Sequence, residues 1–132
     1  LSLDLDFVLI AVTAAVKDYV LCHRINNNLS FEFERIEDHE VYHNIDEDPI
    51  AFSRYYYFVE QGEIEYYLVN NRNPEGFLVP EMKKVDFFII IHQYVDNEDL
   101  NFILTRLNKL AGIQVAAKIN PAKLKSKENL IM

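Results

Sequence analysis

The sequence predicts a single α+β domain: a mostly antiparallel sheet with two helices on one face. Three observations lead there. The run Phe87-Phe88-Ile89-Ile90-Ile91 is apolar at every position, the pattern of a strand covered on both sides. Asp96, followed by Leu100, Ile103, Leu104, Leu107 and Leu110, has the cap and the roughly 3.6-residue spacing of an amphipathic helix. Two tyrosine-rich segments flank Gln61-Gly62 as the arms of a hairpin.

The 132 residues fit one domain with a core of its own, residues 1–132. Half of them are apolar, a globular composition. The net charge is −8 and unevenly spread. Residues 1–117 hold nine basic and twenty acidic groups, whereas residues 118–132 hold four Lys and one Glu. An acidic body repels phosphate backbones, so nucleic acid is not an expected partner. The basic tail reads as a solvated end. Cys22 is the single cysteine, so no internal disulfide forms, which fits a reducing cytosol and a cytoplasmic location. No apolar run reaches the roughly 18–20 residues of a membrane helix, and Asp4 and Asp6 interrupt the opening segment, so neither membrane insertion nor a signal peptide is expected.

Residues 5–13 read as a strand that becomes buried on both faces. Thr13 is a candidate N-cap for a helix over about 15–28, closed by Asn26-Asn27-Asn28. Phe31-Glu32-Phe33-Glu34 alternates like a half-buried strand. The segment from Glu37 to Pro49, with six acidic residues, reads as a loop or a poorly paired edge. Strands follow at 52–59 and 64–69, a loop at 70–76, a central strand at 85–95, a helix capped by Asp96 with Gly112 at C′, and a last strand at 113–119 that Asn120-Pro121 ends. The order is β-α-β, an inserted hairpin, then β-α-β, with parallel crossovers. That order describes a ferredoxin-like sandwich. Its second sheet face would be bare. Since Phe87 to Ile91 is apolar on both sides, either the tyrosine hairpin or a second subunit must cover that face, and a homodimer is the expected answer.

The segment Val79-Pro80-Glu81-x-x-x-Val85-Asp86-Phe87 resembles the signature of the IPExxxVDY family, small bacterial proteins of unknown function, with Val79 in place of Ile and Phe87 in place of Tyr. Phe7 to Leu21, with Asp18-Tyr19, and Ser126-Lys127-Glu128-Asn129-Leu130 are also similar to that family. Physically the signature reads as a corner. Pro80 belongs before a central strand, Glu81 accepts backbone N–H groups or pairs with Lys83 or Lys84, and Asp86 caps a neighbouring turn.

His39-Glu40-Val41-Tyr42-His43 matches the H-E-x-x-H pattern of zinc hydrolases, with His39 and His43 as weak metal candidates. That chemistry needs a helix, which puts both imidazoles on one side, and the acidic flanks do not form one. Cys22 and His23 are adjacent, so on a helix they diverge and make no nucleophile–base pair. His92 shares a strand face with Phe88, Ile90 and Tyr94 and reads as a hydrogen-bonded core or interface histidine. No catalytic residue, cofactor or resident metal is assigned. The expected function is a non-enzymatic binding or protein-interaction module, and the alternative is a metal-dependent hydrolase using His39, Glu40 and His43.

Overall fold

The computed structural model describes residues 6–44, 46–93 and 95–132. Leu5 and Tyr94, which the sequence reading places in strands, lie outside them. The elements are β1 (Phe7–Ala14), α1 (Asp18–Leu29), β2 (Glu34–Val41), β3 (Ile50–Val59), β4 (Ile64–Asn70), the short pair β5 (Arg72–Asn73) and β6 (Gly76–Phe77), β7 (Phe87–His92), α2 (Asn97–Asn108) and β8 (Ile113–Ile119). Two 3₁₀ turns, Pro121–Lys123 and Lys127–Leu130, end the chain.

The main sheet has six strands in the order β2-β3-β4-β7-β1-β8, and every adjacent pair is antiparallel. The apolar run is central as expected: β7 lies between β4 and β1. The two crossovers do join parallel strands, but not neighbours. β1 separates β7 from β8, and three strands separate β1 from β2. The strand beside β7 that runs parallel to β1 is β4, so the inserted pair is β2–β3 rather than β3–β4. The side chains explain the choice. β4 is apolar on both faces, with Tyr66 and Leu68 on one and Tyr67 and Val69 on the other. β2, Glu-Arg-Ile-Glu-Asp-His-Glu-Val, is charged and takes an edge. A register shift between Ile36 and His39 bends it, a device that keeps edges from pairing with other chains.

Four local expectations change. Phe31 and Phe33 do not form a strand. The Asn26 side chain takes both backbone groups of Phe33, accepting its N–H at 2.9 Å and donating to its carbonyl at 3.1 Å, and ladder pairing starts only at Glu34. Lys17, not Thr13, sits at the N-cap of α1. Thr13 stays in β1, where its hydroxyl donates to the Lys84 carbonyl. β7 stops at His92, because Gln93 turns to φ +79°. α2 ends with Lys109 as C-cap, so Gly112 is not its C′ residue. Gly112 instead makes the turn into β8 at φ +92°, and a Cβ there would lie 2.6 Å from Val16 Cγ1.

Both helices cover one sheet face. Leu21, Ile25 and Leu29 of α1 and Leu100, Ile103 and Leu107 of α2 share a cluster with Ile10, Val12, Leu68, Ile89 and Ile91. Asp96 caps α2 as expected, accepting the Asp99 N–H at 2.8 Å. The second face carries its own cluster, Leu9, Phe52, Val69, Phe88 and Ile90 with Leu78, Val79, Val85 and Leu130. Its cover is the chain itself, through the segment between β6 and β7 and the C-terminal turns. The tyrosine hairpin does not fold over. The homodimer expected from the sequence therefore loses the bare face on which it rested. The basic tail, expected to be a solvated end, forms part of this cover, with Leu130 fully buried beneath it. No helix among the described residues is long and apolar enough to cross a membrane.

The other edge, β8, is protected differently. Asn108, the last residue of α2, accepts the Ala116 N–H and donates to the Ala116 carbonyl, both at 2.9 Å. One side chain thus fills the outward rung that a seventh strand would fill.

Candidate functional site

The signature segment forms a corner organised by a residue outside it. Asn71 is fully buried. Its Nδ2 donates to the carbonyls of Met82 (3.0 Å) and Val85 (2.8 Å), and its Oδ1 accepts the Val79 N–H (2.8 Å). A buried amide is stable only when its donors and acceptor are satisfied, as here. Pro80 occupies the second position of a turn closed by Met82 N–H on the Val79 carbonyl, where its fixed φ suits the bend. Val79 and Val85 pack inward and Phe87 begins β7.

The two carboxylates of the signature tie separate parts of the chain together. Glu81 accepts the Ser126 N–H and hydroxyl, each at 2.8 Å, so its partner is Ser126 rather than Lys83 or Lys84. Burial acts to raise the Glu81 pKa, but the hydrogen bonds from Ser126 and nearby backbone outweigh it, and the net shift is downward. Asp86 accepts the Ala14 N–H at 2.8 Å and pairs with Arg72 at 2.6 Å, joining β1, β5 and β7. Asn129 donates to the Leu78 carbonyl at 2.9 Å. The signature segment and the Ser126–Leu130 segment, distant in sequence, are therefore neighbours in space.

His39 and His43 are not brought together. His39 lies on β2, where its Nε2–H donates to the Asn129 carbonyl at 2.7 Å, and burial lowers its pKa. His43 is exposed beyond the end of β2. In extended chain, residues four apart stand about 13 Å apart, too far to share a metal ion as they would on a helix. Among the described residues no group of three or more His, Cys, Asp and Glu side chains is placed to hold a metal. Cys22 is buried against the Phe33 carbonyl, and burial raises its pKa. His23 meets Asn27 instead.

A second cluster lies at the open end of the second face. Phe58, Glu65, His92 and Phe7 are register partners across β3, β4, β7 and β1. Tyr56 and Tyr67 form the next rung, with ring centres 5.1 Å apart. Tyr56 donates to Glu65 Oε2 at 2.7 Å; burial and that carboxylate push its pKa up to about 12, so it remains a donor at neutral pH. The hydrogen bond expected of His92 is not found at Nε2: the ring sits between Phe7 (5.6 Å) and Tyr67 (5.9 Å), and the buried Nε2 has no partner among the described residues. Beside it opens a cleft of about 620 Å³, lined by Phe7, Val8, Glu65, His92, Gln93 and Val95 with Asp6.

Sequence reasoning found the signature and His92, and missed Asn71, Ser126, Glu65 and Tyr56 as members of sites. Asn71 sits in a run that reads only as a loop. Glu65 and His92 become neighbours only through strand register. No protein-family model and no curated protein matches this chain.

Proposed function

We propose that the protein is a cytoplasmic, non-enzymatic binding module of ferredoxin-like fold and a member of the IPExxxVDY family. Four strands in the order β8-β1-β7-β4, with β1 and β4 parallel and both helices on one face, support the fold assignment. The pairing of Glu81 with Ser126 supports the family assignment, since it couples two of the three stretches that carry the resemblance across 45 positions of chain.

The observation that carries the binding reading is the open cleft beside His92, whose buried Nε2 has no partner among the described residues. A buried polar atom without a partner is costly, and because this nitrogen has almost no accessible surface a ligand completes its bonding only by shifting the side chains around it. The cleft also has the size of a small-molecule site. The signature, in contrast, is consumed by internal bonds and serves to close the fold. The proposal stands for a single chain and needs no second subunit.

Isotope-labelled protein titrated with a panel of small metabolites tests this reading. Saturable amide shifts are expected at Tyr56, Glu65, His92 and Gln93, without chemical change of the added compound. Shifts centred elsewhere, or turnover, count against it. The hydrolase alternative has a separate check. Stoichiometric zinc in protein purified without a histidine tag, lost in His39→Ala, would replace this proposal with that one.

A further inference from the structure

We propose that the outer side of the signature corner is a docking surface for a partner protein, and that it takes an acidic, extended segment carrying one apolar side chain. This surface is separate from the cleft beside His92, because it lies at the other end of β7, before Phe87. The bonded members of the signature close the fold, but the positions between them face outward. Pro80, Lys83 and Lys84 are exposed and Met82 is half-buried. With Val85 they line a shallow groove of about 430 Å³ whose wall is mostly apolar.

Positive charge gathers around this groove, although the chain as a whole stands at −8. The contact of Glu81 with Ser126 brings Lys125 and Lys127, the neighbours of Ser126, to the segment that holds Lys83 and Lys84. None of these four lysines is in a salt bridge among the described residues, where the ion pairs are made by Arg35 and Arg72. The acidic side chains nearby are Glu81, occupied by Ser126, Asp86, paired with Arg72, and the exposed Glu128. The groove is also preorganised. Each carbonyl from Met82 to Val85 accepts a hydrogen bond from a side chain: Asn71 for Met82 and Val85, Arg72 for Lys83 at 2.7 Å, and Thr13 for Lys84 at 3.2 Å. A backbone fixed in advance lowers the ordering cost of binding.

These features select the occupant. Lysine is a hydrated point charge without the fork of arginine, so it recognises negative charge rather than one carboxylate geometry. The apolar groove beside the lysines takes a side chain such as Leu. A short segment meets this patch alone, and charges more than about 8 Å away are screened from it at physiological salt. A bilayer or a long nucleic acid would also meet the acidic body, which repels it.

The test follows amide shifts of the labelled full chain on titration with three short peptides of equal length. The first is built of Glu and Asp around a central Leu, the second has Ser at the centre, and the third has Lys for every acid. The first is expected to saturate with Kd of about 0.5 mM or tighter and to shift Met82 to Val85 and Lys125 to Lys127. The Ser peptide should bind about ten-fold more weakly, because a buried Leu side chain is lost, and the Lys peptide should not saturate. The double variant Lys83→Glu/Lys84→Glu should bind the first peptide about ten-fold more weakly. Lys17→Glu/Lys109→Glu makes the same change in net charge at exposed positions outside the surface, and should keep its affinity within about two-fold. The peptide comparison needs no variant and stands if one of them fails to fold. Equal affinity for the Ser or the Lys peptide overturns the proposal, as does an equal loss in two folded double variants. No saturable shift with the acidic peptide also overturns it, and cosedimentation with vesicles of phosphatidylcholine and phosphatidylserine in that case assigns the surface to a membrane instead. The cleft reading has its own titration and stands or falls apart from these results.

Discussion

At the centre of the sheet the two faces are buried to the same degree by different means. On one, Ile10, Ile89 and Ile91 lie under helices whose apolar stripes repeat at helical spacing. On the other, Leu9, Phe88 and Ile90 lie under irregular chain. A helix satisfies its own backbone, so it covers a sheet with apolar contacts alone. Irregular chain leaves backbone N–H and C=O groups to be satisfied one at a time. Asn71, Glu81, Asn129 and His39 do this on the second face. The lesson is that a loop serves as core cover only where polar side chains pin it. A short sequence signature records such pins better than it records activity.

The largest expected effect follows from Asn71→Ala. It strips partners from the Val79 N–H and from the Met82 and Val85 carbonyls at once. Roughly 4 kcal/mol or more of unfolding free energy should be lost, measured by urea denaturation. A loss below about 1 kcal/mol would mean that the corner is held by apolar packing and that the contrast between the faces is false.

A matched pair comes next. Leu107 on α2 and Leu130 in the tail are both fully buried, one on each face. Each change to Ala is expected to cost about 3 kcal/mol by the same measurement, because each leaves a cavity in packed surroundings. If Leu130→Ala costs far less than Leu107→Ala, the tail is a loosely docked strap rather than core.

Smaller effects should sharpen the picture. Glu81→Gln and Ser126→Ala are each expected to cost about 1 kcal/mol. In a double-mutant cycle they should be strongly non-additive, since they break one contact. Additive losses would show that the carboxylate and the hydroxyl act apart.

The smallest effect is one of pH. Burial lowers the His39 pKa in the folded chain, so the unfolded chain takes the proton first. Stability should therefore be intact above the ordinary histidine value of 6.5 and decline as pH falls below it. Glu81, also shifted down, holds its contribution above its ordinary value of 4.5 and loses it as pH falls through the lower folded value. His39→Asn should flatten the first decline and leave the second. Amide exchange ought to place the acid-sensitive opening at Leu130 and its neighbours, and an opening at α2 instead would locate the weak point on the wrong face.

The local and periodic features were legible in the chain before folding. Asp96 with its leucines gave α2, the unbroken Phe87–Ile91 run required a central strand, and the Gln61-Gly62 pair gave the hairpin. These are statements about neighbours in the chain, and composition carries them. Which strand lies beside β7, what covers the second face, and the row shared by Glu65, His92 and Phe7 emerge with the fold. The reason is physical. Strand order, loop cover and register are set by contacts between residues tens of positions apart. The energy of such a contact appears in no window of sequence: Glu81 reads as an acceptor of nearby backbone N–H groups or a partner of Lys83 or Lys84 until Ser126 is folded against it.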